Sequence, residues 1–464
     1  MPSPPHVLVV GGGLAGLVAA RHLAGGGVDV ALLERRDTVG GRVRTLERDG
    51  YRFDRGFQVL FTAYPAVQRE LDREALELRR FSPGATVAGP DGRSTLADPL
   101  REPGTIPSTL SAPSVSVGDA LRIARLWWDL RRIDPSALFA GDDATIDVFL
   151  RERGFSRRFV EEFVAPFYGG ITLDRSLSSS SRVFEYTFKT LAAGEIAVPA
   201  AGMEAIPTQL ADRVREVGGR IETGVTVESV SGAAGDSSGV GERGPDVGVG
   251  GRGSDASVGG RGSDAGVGER GSDASVTVET DAGTVDADAV VVATDPPSAR
   301  ELTGVDAIPT DARSCITQYY ALPAGFDLET GRRLLLNATE QGPNHVVPHS
   351  AVAPEYAPSG TTLISATYLG ERTEHDAELA ALTRRTLESW YPDKGFDGLE
   401  AVHTARVPFA QFAQPPGFFE ELPDVRDPAG PVYLAGDYTR WSSIQGAMES
   451  GRQAAKAVID DLSG

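Results

Sequence analysis

The sequence predicts an α/β fold in which a doubly wound parallel-sheet domain, assembled from separated stretches of chain, carries an interleaved α+β domain. Three observations predict it. The chain opens on an apolar, β-branched run at residues 6–10 (HVLVV), a glycine turn at 11–16 and a helically periodic segment at 17–24. Near the other end, residues 431–458 repeat that order as an apolar strand, a Gly-Asp turn and a helix rich in small residues. The 464 residues also exceed what one compact core holds, since cores stop growing near roughly 250 to 300 residues.

In the opening unit Gly11 permits the tight turn, Gly13 lets a pyrophosphate approach the backbone, and Gly16 lets the helix pack on the strand, with Leu14 and Ala15 in its first turn. The phosphates then lie at the positive end of the helix dipole. A second strand at 28–33 ends on Glu34, at the spacing where a carboxylate accepts hydrogen bonds from an adenosine ribose and repels a 2′-phosphate. The adenosine half is therefore that of FAD or NAD and not NADP. G-x-G-x-x-G also begins at Gly239, Gly248 and Gly266, but only the copy at Gly11 has a strand before it, a helix after it and an acid at the right distance.

At the far end Ala447, Ser450, Gly451, Ala454, Ala455 and Val458 recur at three- and four-residue spacing, so one helix face packs closely on the sheet. The start of that helix, near 443–446, is free to turn its positive dipole end toward an anionic ring.

Beyond Glu34 the chain reads ERRDTVGGRVRT at 34–45 and GYRFDRGFQVL at 50–60. With the C-terminal LAGDYT and ESG, this block resembles the flavin-dependent amine oxidase superfamily, closest in motif to its phytoene desaturase and protoporphyrinogen oxidase-like members. The resemblance implies a Rossmann-like FAD-binding domain of the GR2 type. It implies that Glu34 holds the ribose, that Arg35, Arg36, Gly41 and Arg42 lie along the adenosine and pyrophosphate, and that Gly56, Phe57 and Gln58 approach the flavin. It places Gly436 and Asp437 at the ribityl or pyrophosphate portion, the backbone of Gln445, Gly446 and Ala447 at the flavin, and Val225, in a strand spanning 221–230, beside the adenine.

The superfamily's order then divides the chain into an FAD-binding domain at 1–60, 196–295 and 406–464 and a substrate domain at 61–195 and 296–405. Residues 231–275 collapse to Gly, Ser, Asp and Arg with a nine-residue repeat, and are read as a low-complexity loop lengthening a hairpin, which costs little in closure entropy. One unit, GGRGSDASV at 250–258, is similar to the calcium-binding nonapeptide. Its apolar core positions fall on Gly248, Ser257, Gly266 and Ser275, so it is read as disordered and no metal is expected. In the substrate domain, residues 121–133 place Ile123, Leu126, Trp127 and Leu130 on one helical face and arginines on the other, either a core-covering helix or one that rests on anionic lipid. The aromatics at 159–170 and 184–188 are tunnel lining or core. His345 and His349 read as solvated residues of a loop that could reach the site.

Composition narrows the setting. Asp+Glu 65 against Lys+Arg 45 gives a net charge of −20, which repels phosphate backbones and argues against nucleic acid as a partner. Only three of the basic residues are lysines, as a halophilic cytoplasm or a GC-rich genome would favour. The single Cys315 excludes a disulfide scaffold and points to a reducing compartment. Residues 1–5 carry no basic leader and no apolar run spans a bilayer, so the expectation is a cytoplasmic protein, with peripheral membrane contact left open.

For the reaction, flavin supplies the redox step and no acid–base triad is required or found, so no catalytic side chain is singled out. In the resembling amine oxidases a lysine stands near flavin N5 and the C-terminal motif supplies an aromatic ring. Here residues 314–321 hold no lysine, and the matching C-terminal position is Ile444. The expected activity is dehydrogenation or desaturation of a small lipophilic substrate, carotenoid or polyisoprenoid-like or a tetrapyrrole, with oxygen or a quinone as electron acceptor. Amine oxidation and a non-catalytic FAD-fold binding protein are the alternatives.

Overall fold

The computed structural model describes residues 4–90, 92–97, 114–232, 276–428 and 430–463. A five-stranded sheet, parallel throughout, takes the order Arg220–Thr223, Asp29–Glu34, His6–Val10, Ala289–Val292 and Val432–Leu434. Its central strands are continuous apolar runs because both faces are covered: Val7, Leu8, Val9, Val290, Val291 and Val292 are all buried. Helix Leu14–Gly25 packs directly against the C-terminal helix Ile444–Ser463. Gly451 makes that approach possible, since a Cβ there would stand 2.1 Å from the backbone oxygen of Ala15. Gly11 turns the chain out of the first strand at φ +108°, where a Cβ would also meet the oxygen of Ala293 at 2.7 Å.

Residues 221–230 are not one strand. Arg220–Thr223 joins the parallel sheet, the chain turns at Gly224 with φ +75°, and Val227–Ser231 begins a three-stranded antiparallel sheet with Val276–Thr280 and Gly283–Ala287. Ser231 pairs with Thr277, so the hairpin closes across residues 233–275. That segment, with the nine-residue repeat, lies outside the described residues.

A second, seven-stranded sheet runs Glu400–Phe412, Ala312–Pro323, Thr361–Leu369, His345–Val347, Leu334–Asn337, Ala85–Gly89 and Gly92–Leu96. Alternation along Ala312–Pro323 joins two cores: Tyr319 faces the one shared with the parallel sheet, and Tyr320 faces helix Asp376–Trp390, where its hydroxyl meets Thr383 Oγ1 at 2.8 Å. Glu400–Phe412 is an unbroken strand of this sheet, so the boundary expected at 405/406 falls inside a hydrogen-bonded element. The chain leaves the sheet only after Phe412.

Helices cover the remaining side of the molecule. Helix Val117–Leu130 opens on a capping box between Ser116 and Asp119 and stops short of Ile133. Leu126 and Leu130 are buried as its periodicity predicts, but Val117, Leu121 and Trp128 stand exposed at 68%, 68% and 47%. Farther on, Phe155, Phe159, Phe163 and Phe167 stack at successive centroid distances of 5.5, 5.5 and 5.6 Å, a four-residue ladder running through a π-helical turn. Among the described residues no helix is long and apolar enough to cross a membrane.

Candidate active site

All five parallel strands end on one edge, and there a cavity of about 850 Å³ opens between the two sheets and the helices. This is the crevice outside the carboxyl ends of the strands, where open α/β sheets bind ligands. One part of its wall is polar and built of Gly11, Gly13, Leu14, Ala15, Glu34, Arg35, Arg36, Gly41, Arg42, Val225, Gly436 and Asp437. The remainder includes Gly56, Phe57 and Gln58, then Phe167, Ile171, Leu336, Phe409 and Trp441.

The polar part fits a dinucleotide. Helix Leu14–Gly25 starts at Gly13 with no side-chain cap, so its first N–H groups are left for a ligand on the cavity side. A Cβ on Gly13 would meet no protein atom within 4 Å, which leaves room for phosphate against the backbone. Glu34 is buried, and its two oxygens accept the N–H groups of Gly12 at 2.7 Å and Arg36 at 3.0 Å. Each oxygen keeps a lone pair for a ribose hydroxyl. The N–H of Val225 donates to the backbone oxygen of Glu34 at 3.0 Å and seats Val225 beside that carboxylate. Arg36 reaches the oxygen of Gly41 at 3.4 Å, whereas Arg35 is half exposed and pairs with Asp295 at 3.2 Å.

Arg42 joins the two ends of the chain. Its Nη2 meets Asp437 Oδ1 at 2.6 Å and its Nη1 donates to the oxygen of Ala410 at 3.2 Å, while Ser442 donates to the other Asp437 oxygen at 2.8 Å. Burial works against the guanidinium charge, and the adjoining carboxylate outweighs it, raising the Arg42 pKa. Gln58 Nε2 donates to the oxygens of Arg42 at 2.9 Å and Arg55 at 3.1 Å, locking the turn that brings Gly56 and Phe57 to the cavity.

Three residues expected at the cofactor stand back from the cavity wall. Gly16 is packed against the turn, where a Cβ would lie 2.0 Å from the oxygen of Gly11. Gln445 turns its Oε1 to the N–H of Ala66 at 2.8 Å, and so serves the start of helix Pro65–Glu70. Gly446 abuts the oxygen of Trp441, where a Cβ would lie at 2.1 Å. Ala447, from the same turn, does line the cavity, as does Ile444. Trp441, three residues before Ile444, supplies a cavity ring that the motif comparison did not assign. Its indole packs on Tyr186 at 4.6 Å and Phe139 at 4.9 Å.

The histidines are the largest departure from expectation. His345 lies in strand His345–Val347 and lines the cavity, His349 opens helix His349–Val352, and each is 3% exposed. Burial pushes the His345 pKa down to about 4, and burial together with His345 pushes His349 to about 3, so both rings are neutral at neutral pH. In an unfolded chain they would titrate near roughly 6.5. Stability is therefore full above about pH 6.5 and is lost as pH falls toward 4, by up to about 1.4 kcal/mol per pH unit for each ring. Asp54, whose burial lifts its carboxyl to about 6, takes up its proton first in the folded state and offsets one ring's share below pH 6. Melting curves from pH 7.5 to 4.5 are expected to show a net loss, with a shallower slope in His349→Asn; a flat profile in the parent protein contradicts the burial of these rings.

Cys315 also lines the cavity, 3.8 Å from where a Cβ on Gly56 would stand. Burial pushes its thiol up to about 11 against the pull of Arg55, so it is no thiolate nucleophile at neutral pH.

Comparison with known proteins agrees with this geometry. A family described as flavin containing amine oxidoreductase matches residues 14–247 and 267–459. A phytoene dehydrogenase of Streptomyces griseus is 29% identical over 256 residues, 48% of each chain. A carotenoid 3,4-desaturase of Haloarcula japonica is 41% identical over 95 residues, 19% of each. These matches span half or less of the relatives' length. Among solved structures, a putrescine oxidase variant superposes with a TM-score of 0.68 at 15% identity, covering 98% of this chain and 99% of its own, a likeness of fold.

Proposed function

The chain belongs to the flavin-containing amine oxidoreductase family, with FAD as cofactor, and from that premise we propose that it dehydrogenates or desaturates an apolar substrate of polyisoprenoid, carotenoid or tetrapyrrole kind. One observation carries this reading: the wall beyond Gly56–Gln58 is apolar and aromatic, and among the described cavity residues there is no lysine. The names of the phytoene dehydrogenase and carotenoid desaturase relatives support it.

Bound FAD supplies a hydride acceptor at N5. The residues of this chain bind, orient and exclude water. Glu34 and the helix start at Gly13 would hold the adenosine and phosphates, and the Arg42–Asp437 pair ties the turn after strand Asp29–Glu34 to the turn before helix Ile444–Ser463. Phe57, Phe167, Phe409 and Trp441 give the substrate an apolar seat. The substrate loses a hydride and a proton, and oxygen or a quinone finally takes up the two electrons and two protons, leaving as hydrogen peroxide or the quinol. Holoenzyme supplied with a polyisoprenoid and a quinone is expected to yield a product lighter by two hydrogens for each new double bond. Conversion of a primary amine to an aldehyde, with the polyisoprenoid untouched, would overturn the reading.

An apolar substrate of this kind partitions into membranes, and one surface suits that origin. Val117, Leu121 and Trp128 form an exposed stripe on helix Val117–Leu130, with Arg131 and Arg132 at 3.6 and 4.8 Å from the Trp128 ring. Apolar side chains flanked by arginines suit an anionic lipid surface, even on a chain of net charge −20. The partition coefficient onto anionic vesicles, read by co-sedimentation, is expected to fall about thirtyfold or more in Leu121→Ser/Trp128→Ser, each buried apolar side chain contributing about 1 kcal/mol or more; equal binding by variant and parent rules the stripe out.

A further inference from the structure

Two buried polar atoms of cavity residues lack a partner among the described residues: Nε2 of His345 and Oε1 of Gln411. Buried polar groups are almost always paired, so both call for a ligand. Their neighbours fix which is donor and which acceptor. Asn344 donates from Nδ2 to the oxygen of Pro166 at 2.8 Å and accepts at Oδ1 from Arg175 at 3.2 Å, which sets its amide orientation. Its 3.0 Å contact with His345 Nδ1 is therefore a donation from Nδ2, and in the neutral ring the proton sits on Nε2. Gln411 donates Nε2 to the oxygen of Ile171 at 2.7 Å, which leaves Oε1 as an acceptor.

Both residues pack against the end of helix Ala165–Thr172. A Cβ on Gly170 would stand 3.3 Å from His345 Nδ1, and the next residue, Ile171, is the partner of Gln411. The ring of Phe57 lies 5.1 Å from that of His345. We propose that His345 and Gln411 read a hydroxyl on the substrate: His345 donates Nε2–H to its oxygen, and Gln411 accepts its hydrogen. The preferred substrate is then an oxygenated polyisoprenoid and not a bare hydrocarbon. This rests on the apolar-substrate reading above and narrows it.

The test is anaerobic binding to the FAD-loaded protein, read from perturbation of the flavin spectrum, for geranylgeraniol and for the hydrocarbon of the same skeleton without the hydroxyl. The parent protein is expected to bind the alcohol at least about tenfold more tightly, because the hydrocarbon leaves both polar atoms unpaired. His345→Phe and Gln411→Leu should each shrink that ratio severalfold, and His345→Gln, which keeps a donor, should restore most of it. Equal binding of the two ligands by the parent protein, as when an ordered water is the atoms' partner, overturns the proposal. So does an equal loss for both ligands in His345→Phe. Should the variants fail to fold, the parent ratio decides alone. Failure of the underlying reading looks different: neither ligand perturbs the flavin while an amine does, and the hydroxyl proposal falls with it.

Discussion

Gly13→Val is expected to weaken FAD binding about a hundredfold or more while leaving the fold intact. Gly13 has φ −76° and ψ 178°, a conformation open to any residue, and a Cβ there meets no protein atom. The added side chain enters only the space against the start of helix Leu14–Gly25, where the backbone would otherwise approach a pyrophosphate. The flavin dissociation constant should rise about a hundredfold or more, about 2.7 kcal/mol, with the apoprotein melting temperature unchanged. Gly451→Val supplies the contrast. Its Cβ would lie 2.1 Å from a backbone oxygen of the neighbouring helix, so that variant should lose about 3 kcal/mol of stability whether or not flavin is present. Equilibrium titration with FAD and melts of both apoproteins check the pair; a Gly13→Val protein that keeps normal flavin affinity would place the phosphates elsewhere.

Asp437→Ala is expected to cost about 3 kcal/mol of stability and to loosen FAD as well. The Asp437 side chain is 4% exposed and bonds both Arg42 and Ser442, so truncation strands a guanidinium that burial already disfavours. The pair ties the turn after the second strand to the turn before the last helix, so losing it unfixes both walls of the cofactor end. Arg42→Ala should cost a similar amount, and the double variant much less than the sum, because the second removal leaves no unpaired charge behind. Denaturant titration of the four proteins measures this. Additive costs would show that the ion pair contributes nothing as a pair.

The cofactor half was legible because its signals are local. A strand, a glycine turn, a helix and an acid fall within the first 34 residues, and the packing face of the last helix shows at helical spacing. The substrate half is built from pairings distant in sequence, which periodicity does not report. Ala85–Gly89 lies parallel to Leu334–Asn337, and the border expected at 405/406 falls within strand Glu400–Phe412, which pairs with Ala312–Pro323. His345 and His349 were misread for the same reason. A three-residue strand between prolines carries no alternation to detect, and His345 packs against Gly170 and Phe57, both far away in the chain. Trp441 was passed over because motif comparison points to one position, whereas the 3₁₀ turn Asp437–Thr439 swings the ring into the cavity three residues earlier.

The most direct measurement is the anaerobic visible spectrum of the FAD-loaded protein during separate additions of a polyisoprenoid carotenoid precursor, a porphyrinogen and a primary amine. Bleaching of the oxidised flavin band by the polyisoprenoid or the porphyrinogen, without the amine, is the expected result. Bleaching by the amine alone would contradict the apolar-substrate assignment and turn the aromatic wall around Phe57 and Trp441 into an amine cage.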